Sequence, residues 1–160
     1  MRVAKIFITG GPASGKTTLS RRIAAMLDIP VCELDGLLLG EEAHGEPFEG
    51  RFNLVVSKIT NMNTWVVEGA YLGWVEPLMH QADLIVWMDV PWRVASYRII
   101  SRHVKATVAR NNRFPGWQRL YRFWRWSGRY YKSHNPPGLN SWGVPDTGAT
   151  AVEYLAPYKE

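Results

Sequence analysis

The chain has 160 residues, 46% apolar and 21% charged, which suits one globular domain with a real core and excludes a disordered or fibrous chain. No stretch approaches the ~18–20 apolar residues of a membrane helix. The N-terminus MRVAKIFITGG lacks a signal peptide's apolar core and cleavage site, and the lone Cys32 excludes an internal disulfide, so a cytoplasmic protein with no membrane or disulfide partner is expected.

The net charge of +5 is regional. Residues 1–89 hold 7 basic and 11 acidic side chains, residues 90–145 hold 11 basic and none acidic, and residues 146–160 hold 1 basic and 3 acidic. Such asymmetry points to an anionic partner.

Val3 to Thr9 is a short β-branched run ending at glycine, predicted as a buried strand. Thr17 to Leu27 has helical spacing of Leu19, Ile23, Ala24 and Leu27, closed by Pro30. Val31 to Leu34 is a second strand, and residues 40–50 an acidic, glycine-rich loop. Arg51 to Thr60 carries Leu54, Val55 and Ile59 at helical spacing. Trp65 to Val67 and Leu84 to Met88 are the third and fourth strands, and Trp92 to about Lys105 is a helix. Apolar strands alternating with helices predict an α/β protein, its short parallel sheet covered on both faces. Residues 133–146 read as irregular. Asp146 is placed to cap a last short helix running to about Leu155, and no fifth strand is evident.

Gly10-Gly11-Pro12-Ala13-Ser14-Gly15-Lys16-Thr17 fits G-x-x-x-x-G-K-[ST], between a predicted strand and a predicted helix. That context makes it a phosphate-binding loop. Its glycines let backbone N–H groups point inward at phosphate oxygens, and the helix N-terminus adds positive potential. Lys16 reaches the β- and γ-phosphates, the Thr17 hydroxyl is suited to Mg²⁺, and Thr18 continues the site. GTPases, ATPases, motors and kinases all remain open at this point.

The other strand ends narrow the choice, because ligands of such sheets bind at the carboxyl ends of the strands. Strand two ends in Cys32-Glu33-Leu34-Asp35, and alternation puts Glu33 and Asp35 on one face. Strand three ends in Glu68-Gly69, with Tyr71 just beyond on the acceptor side, and strand four in Asp89-Val90-Pro91. Four acids facing a triphosphate, Glu33, Asp35, Glu68 and Asp89, can hold Mg²⁺ together with Thr17 and accept a proton from an attacking hydroxyl.

With GGPASGKTT, ELD, WVVEGAY and LIVWMDVPWRVASYRIISRH, the chain resembles the small P-loop kinases of the adenylate kinase and shikimate kinase type from Val3 to about Arg113. Within them it is most similar to the adenylate-kinase-like group of DNA topology modulation proteins. The resemblance implies a single three-layer P-loop kinase domain over 1–160, strand order 2-3-1-4, with ATP and Mg²⁺ as cofactors. It implies that Arg98 lies against the ATP base and Arg102 touches its phosphates. It also implies an arginine-rich lid over about 103–116 carrying Arg110 and Arg113, and an acceptor-activating role for Asp35. One departure stands out. Adenylate kinases carry D-G-F-P-R at strand three, where the Arg grips the acceptor's phosphate, and this chain has Glu68-Gly69-Ala70-Tyr71.

Residues 116–132, GWQRLYRFWRWSGRYYK, remain. Arg119, Arg122, Arg125, Arg129 and Lys132 share one helical face. Trp117, Leu120, Tyr121, Trp124 and Tyr131 make an apolar face, and Phe123, Trp126 and Tyr130 fall partly on a third. The strip reads either as a terminal helix packing its rings on the sheet, or as a nucleic-acid contact through Arg119, Arg122, Trp126 and Arg129. The second reading favours a kinase acting on a hydroxymethylated base in DNA, of the phage 5-hydroxymethyluracil DNA kinase type, working in the host cytoplasm. A kinase for a small nucleoside, nucleotide or metabolite is the alternative. A nucleotide-dependent nucleic-acid-binding regulator without phosphotransfer is a third.

Overall fold

The computed structural model describes residues 4–39, 47–112, 114–132, 144–145 and 148–158. Four strands, β1 (Lys5–Gly10), β2 (Val31–Glu33), β3 (Trp65–Glu68) and β4 (Leu84–Met88), pair in parallel in the order β2-β3-β1-β4, as expected. The register sets Ile8 opposite Glu68, Glu33 opposite Glu68 and Gly10 opposite Met88. All four carboxyl ends therefore open on one edge of the sheet.

Helices cover both faces. Alternation along β1 and β3 sends Phe7, Trp65 and Val67 to one side, with Leu34, Leu38, Phe52, Ile59, Leu72, Leu78 and Leu155. It sends Ile6, Ile8 and Val66 to the other, against Ala24 and the half-buried Leu19 and Ile23. The first cluster is held by α2 (Leu34–Leu39), α3 (Phe48–Thr60), α4 (Glu76–Gln81) and α7 (Gly148–Leu155), the second by α1 (Lys16–Leu27). No helix among the described residues is long and apolar enough to cross a membrane. Cys32 is half-buried on β2, and burial pushes its thiol pKa up, which makes it a poor nucleophile.

Several boundaries move from the sequence expectation. Strand β2 stops at Glu33, and Leu34, fully buried, starts the short helix α2. Asp35 therefore stands in the first turn of a helix rather than on the strand, and the alternation that paired it with Glu33 does not apply. Helix α3 begins at Phe48, earlier than expected. Helix α5 (Trp92–Val108) runs beyond Lys105. The first part of the expected lid is thus a continuous helix, and the rest is the link between α5 and α6, with Arg110 in it at φ 54°. Helix α7 starts at Gly148 and passes into a 3-10 turn, Ala156–Tyr158. Asp146, its expected cap, lies outside the described residues.

The basic aromatic strip is helix α6 (Trp117–Lys132). It packs through Trp124, Ser127, Gly128 and Tyr131, spaced at one face of a helix. The Trp124 indole N–H donates to Ser96 Oγ at 2.7 Å. The Trp92 ring lies 5.4 Å from that of Trp124 and 5.6 Å from that of Tyr131. The Tyr131 hydroxyl donates to the Pro12 carbonyl at 2.8 Å, which ties the helix to the phosphate loop. Tyr130, expected on the third face, is buried, whereas Trp117 and Tyr121, expected on the packing face, are 69% and 57% exposed. The helix docks by its C-terminal half, and its N-terminal half stands clear of the core.

Gly11 marks how tightly α6 sits on the loop. A Cβ there would lie 2.5 Å from Tyr130 Cε1 and 2.6 Å from the Tyr131 hydroxyl. Gly11→Ala is expected to destabilise the protein by about 1–3 kcal/mol, as overpacking does, seen as a Tm drop of roughly 2–10 °C. An unchanged Tm would show that α6 is not seated against the loop.

Candidate active site

The phosphate loop leaves β1 at Gly10, where a Cβ would come within 2.5 Å of the Met88 carbonyl oxygen, so only glycine permits the approach. Gly15 caps α1 at φ 107° with no side-chain hydrogen bond to the helix end. The α1 N-terminus therefore presents its N–H groups and dipole to the loop, with no acidic side chain in its first turn. The Lys16 ammonium folds over the loop and donates to the carbonyls of Gly10 at 2.9 Å and Gly11 at 3.1 Å. The Ser14 hydroxyl is buried and has no hydrogen-bond partner among the described residues, which leaves an uncommitted donor on the loop.

The acids divide into two kinds. Glu68, at the end of β3, is 4% exposed and accepts a hydrogen bond from Thr17 Oγ1 at 2.9 Å. Burial raises its pKa, and the Thr17 bond and the Lys16 charge pull it back only in part. Asp35 is exposed and accepts a 2.5 Å hydrogen bond from the Tyr71 hydroxyl. Burial, with Asp35 adding to it, pushes the Tyr71 phenol far above its ordinary value. Tyr71 is thus held as a donor, and it fixes the orientation of Asp35. Its ring packs edge-on against Phe52, 5.1 Å between centroids.

A cleft of about 1160 Å³ runs along this sheet edge. It brings together the loop residues Gly10 and Pro12 to Thr18 with Asp35, Glu68, Tyr71, Arg98 and Arg102. The Arg98 guanidinium donates from Nη1 to the carbonyls of Ser14 at 2.7 Å and Ala13 at 3.3 Å. Burial lowers the Lys16 pKa, the charges of Glu68 and Asp35 raise it, and the Arg102 charge lowers it again, so Lys16 feels all three charges across the cleft.

Other expected residues lie elsewhere. Glu33 accepts a 2.6 Å salt bridge from Arg21 Nε and does not line the cleft. Asp89 is exposed beyond β4 and does not line it either, nor does Arg110. Arg113 lies outside the described residues. Arg119, Arg122 and Arg129 are exposed on α6, outside the cleft, whereas Trp126 lines it.

Sequence reasoning missed Ser101 and Lys105 of α5, and Phe123 and Tyr130 of α6, all in the cleft wall. Ser101 and Lys105 carried a signal, because they continue the Arg98–Arg102 face at helical spacing. Phe123 and Tyr130 share a face with Trp126 in the same way, but nothing local said which aromatic face met the cleft.

A divalent cation suits part of this arrangement. The Thr17 hydroxyl and the Glu68 carboxylate are adjacent hard oxygen donors. Mg²⁺ habitually takes one or two such groups and completes its shell with phosphates and water. Among the described residues no group of three or more His, Cys, Asp or Glu side chains forms a self-sufficient metal cage.

The buried Glu68 gives a pH test. Its folded pKa stands above its ordinary 4.5. Just above that value the folded state holds a proton that the unfolded chain releases, so stability falls as pH rises through the window. In thermal melts started at pH 4, the wild type is expected to lose ground to Glu68→Gln as pH rises past 4.5, and the two curves to run parallel once pH exceeds the folded pKa. Curves parallel throughout would mean that Thr17 and Lys16 fully offset the burial.

No protein-family model and no curated protein sequence matches the chain. Solved structures do. A shikimate kinase from Bacteroides thetaiotaomicron aligns at TM-score 0.52 and 18% identity, over 79% of this chain and 77% of that one. A shikimate kinase from Acinetobacter baumannii in complex with shikimate aligns at TM-score 0.52 and 14% identity, over 98% and 93%. A gluconokinase from Sinorhizobium meliloti 1021 aligns at TM-score 0.52 and 18% identity, over 78% and 74%. At these identities the likeness is one of fold, and the chain has the α/β architecture of the small P-loop kinases.

Proposed function

We propose that this protein is an ATP-dependent phosphotransferase that moves the γ-phosphate to an acceptor hydroxyl. The observation that carries the reading is a single cleft joining a phosphate loop to an oriented carboxylate, Asp35, held by Tyr71 at 2.5 Å. A nucleotide switch has no need of a base on the acceptor side.

Loop N–H groups, Lys16 and the Ser14 hydroxyl hold the triphosphate. Asp35 takes the proton of the acceptor hydroxyl as its oxygen bonds to the γ-phosphorus, and the bond from that phosphorus to the β–γ bridging oxygen breaks to release ADP. Lys16 and Arg102 stabilise the charge spread over the moving group, so positioning and electrostatics do most of the work. Mg²⁺, held by Thr17 and Glu68, would supply charge neutralisation on the phosphates.

A small hydroxylated acceptor is the first choice. Much of the aromatic excess that motivated a nucleic-acid acceptor is used inside the protein, with Trp124, Tyr130 and Tyr131 in packing and Phe123 and Trp126 in the cleft wall. The strand-three segment lacks the phosphate-gripping arginine, which favours an acceptor recognised by hydroxyls over a nucleoside monophosphate. The second reading, a hydroxymethylated base in DNA, draws on the outer face of α6, where Trp117 and Tyr121 stand exposed beside Arg119 and Arg122. Arginines at helical spacing track a phosphate backbone and open rings stack on bases.

Transfer from γ-labelled ATP separates the readings. The acceptor panel is shikimate, gluconate, free nucleosides, nucleoside monophosphates, plain DNA and DNA carrying 5-hydroxymethyluracil. Label in a small acceptor is expected. Label only in the modified DNA would favour the second reading, and ATP hydrolysis with no labelled acceptor would favour a regulator. With the acceptor in hand, Asp35→Asn is expected to lower kcat by about 10²–10⁴-fold and leave ATP affinity nearly intact. Lys16→Ala is expected to abolish turnover. Full activity in either variant would remove that residue from its role.

A further inference from the structure

The cleft has an aromatic wall that phosphate transfer does not need. Phe123 and Trp126 of α6 line it with their rings stacked, centroids 5.8 Å apart and planes 30° apart. They are 38% and 41% exposed, so neither is spent in the core. With Tyr130 they form the one face of α6 that looks into the cleft, distinct from the packing face of Trp124, Ser127, Gly128 and Tyr131.

Asp35 and Glu68 line the cleft from the β2 and β3 ends, where an acceptor would meet the γ-phosphate. Helices α5 and α6 meet the loop elsewhere, at Pro12, Ala13 and Ser14. The Tyr131 hydroxyl holds α6 to the Pro12 carbonyl at 2.8 Å, and Arg98 of α5 donates to the carbonyls of Ala13 at 3.3 Å and Ser14 at 2.7 Å. Arg98 and the two open rings thus belong to the helices that wall the cleft at this part of the loop.

We infer that the Phe123–Trp126 pair is the platform on which the nucleobase of the bound triphosphate stacks. A flat π-system is what two stacked, half-open rings accept. The assignment moves Trp126 from a nucleic-acid surface to the nucleotide's own base. It rests on the proposal that the loop binds a nucleoside triphosphate, and the test keeps the two apart.

Binding of ATP with Mg²⁺ and of inorganic tripolyphosphate with Mg²⁺ is measured by calorimetry for wild type, Trp126→Ala and Trp126→Phe. Loss of one base-stacking ring is expected to weaken ATP binding in Trp126→Ala by at least about tenfold. Tripolyphosphate, which has no base, is expected to bind wild type and Trp126→Ala alike, and Trp126→Phe is expected to recover most of the ATP affinity. An equal loss for both ligands would assign Trp126 to holding the loop in shape and overturn the platform, as would no loss for either. If the wild type bound neither ligand, the triphosphate site itself would fall and the platform with it.

Discussion

Parallel pairing of β1 with β3 on one side and β4 on the other is the constraint on which the rest depends. In a parallel sheet every strand ends on the same edge, so one pairing pattern gathers Gly10, Glu33, Glu68 and Met88 within a few strand spacings. Most polar groups of the cleft stand at such an end or just beyond it, and α6 adds an aromatic wall. The inner strands are apolar on both faces because helices cover both, which leaves the strand ends as the main place where polar side chains meet without disturbing the core.

Within that edge, burial does more than charge count. Lys16 and Glu68 are both pushed toward their neutral forms by loss of water, and each is partly restored by the other. Asp35 is different, being exposed and held in place by the Tyr71 hydroxyl. Under the proposed function Glu68 joins Thr17 in holding a cation, and the exposed Asp35 meets the incoming hydroxyl.

Helix α6 completes the site from the far end of the chain. No fifth strand joins β4 among the described residues, and a basic aromatic helix is tied to the phosphate loop instead. The link is short-range and specific, a tyrosine hydroxyl on a loop carbonyl and a glycine with no space for a methyl group. It couples the order of the loop to the seating of α6. The same docking sorts the strip into a packing face, a cleft face and an outer basic face.

By itself the sequence determined what depends on contiguous residues. The phosphate loop is eight residues whose own backbone makes the anion site, so composition and spacing suffice. The strands are unbroken apolar runs, and Arg98 and Arg102 fall on one face of their helix by spacing alone. Only the tertiary structure decided which of several similar groups meet. Glu33 and Asp35 looked equivalent until the buried Leu34 started a helix between them, turning one to Arg21 and leaving the other in the cleft. The apolar face of α6 and the face of Phe123, Trp126 and Tyr130 both carry rings able to pack, and contact with Trp92, Ser96 and Pro12, distant in the chain, chose between them. Periodicity names the residues that share a face, but which neighbour that face receives is set by the packing of the whole chain.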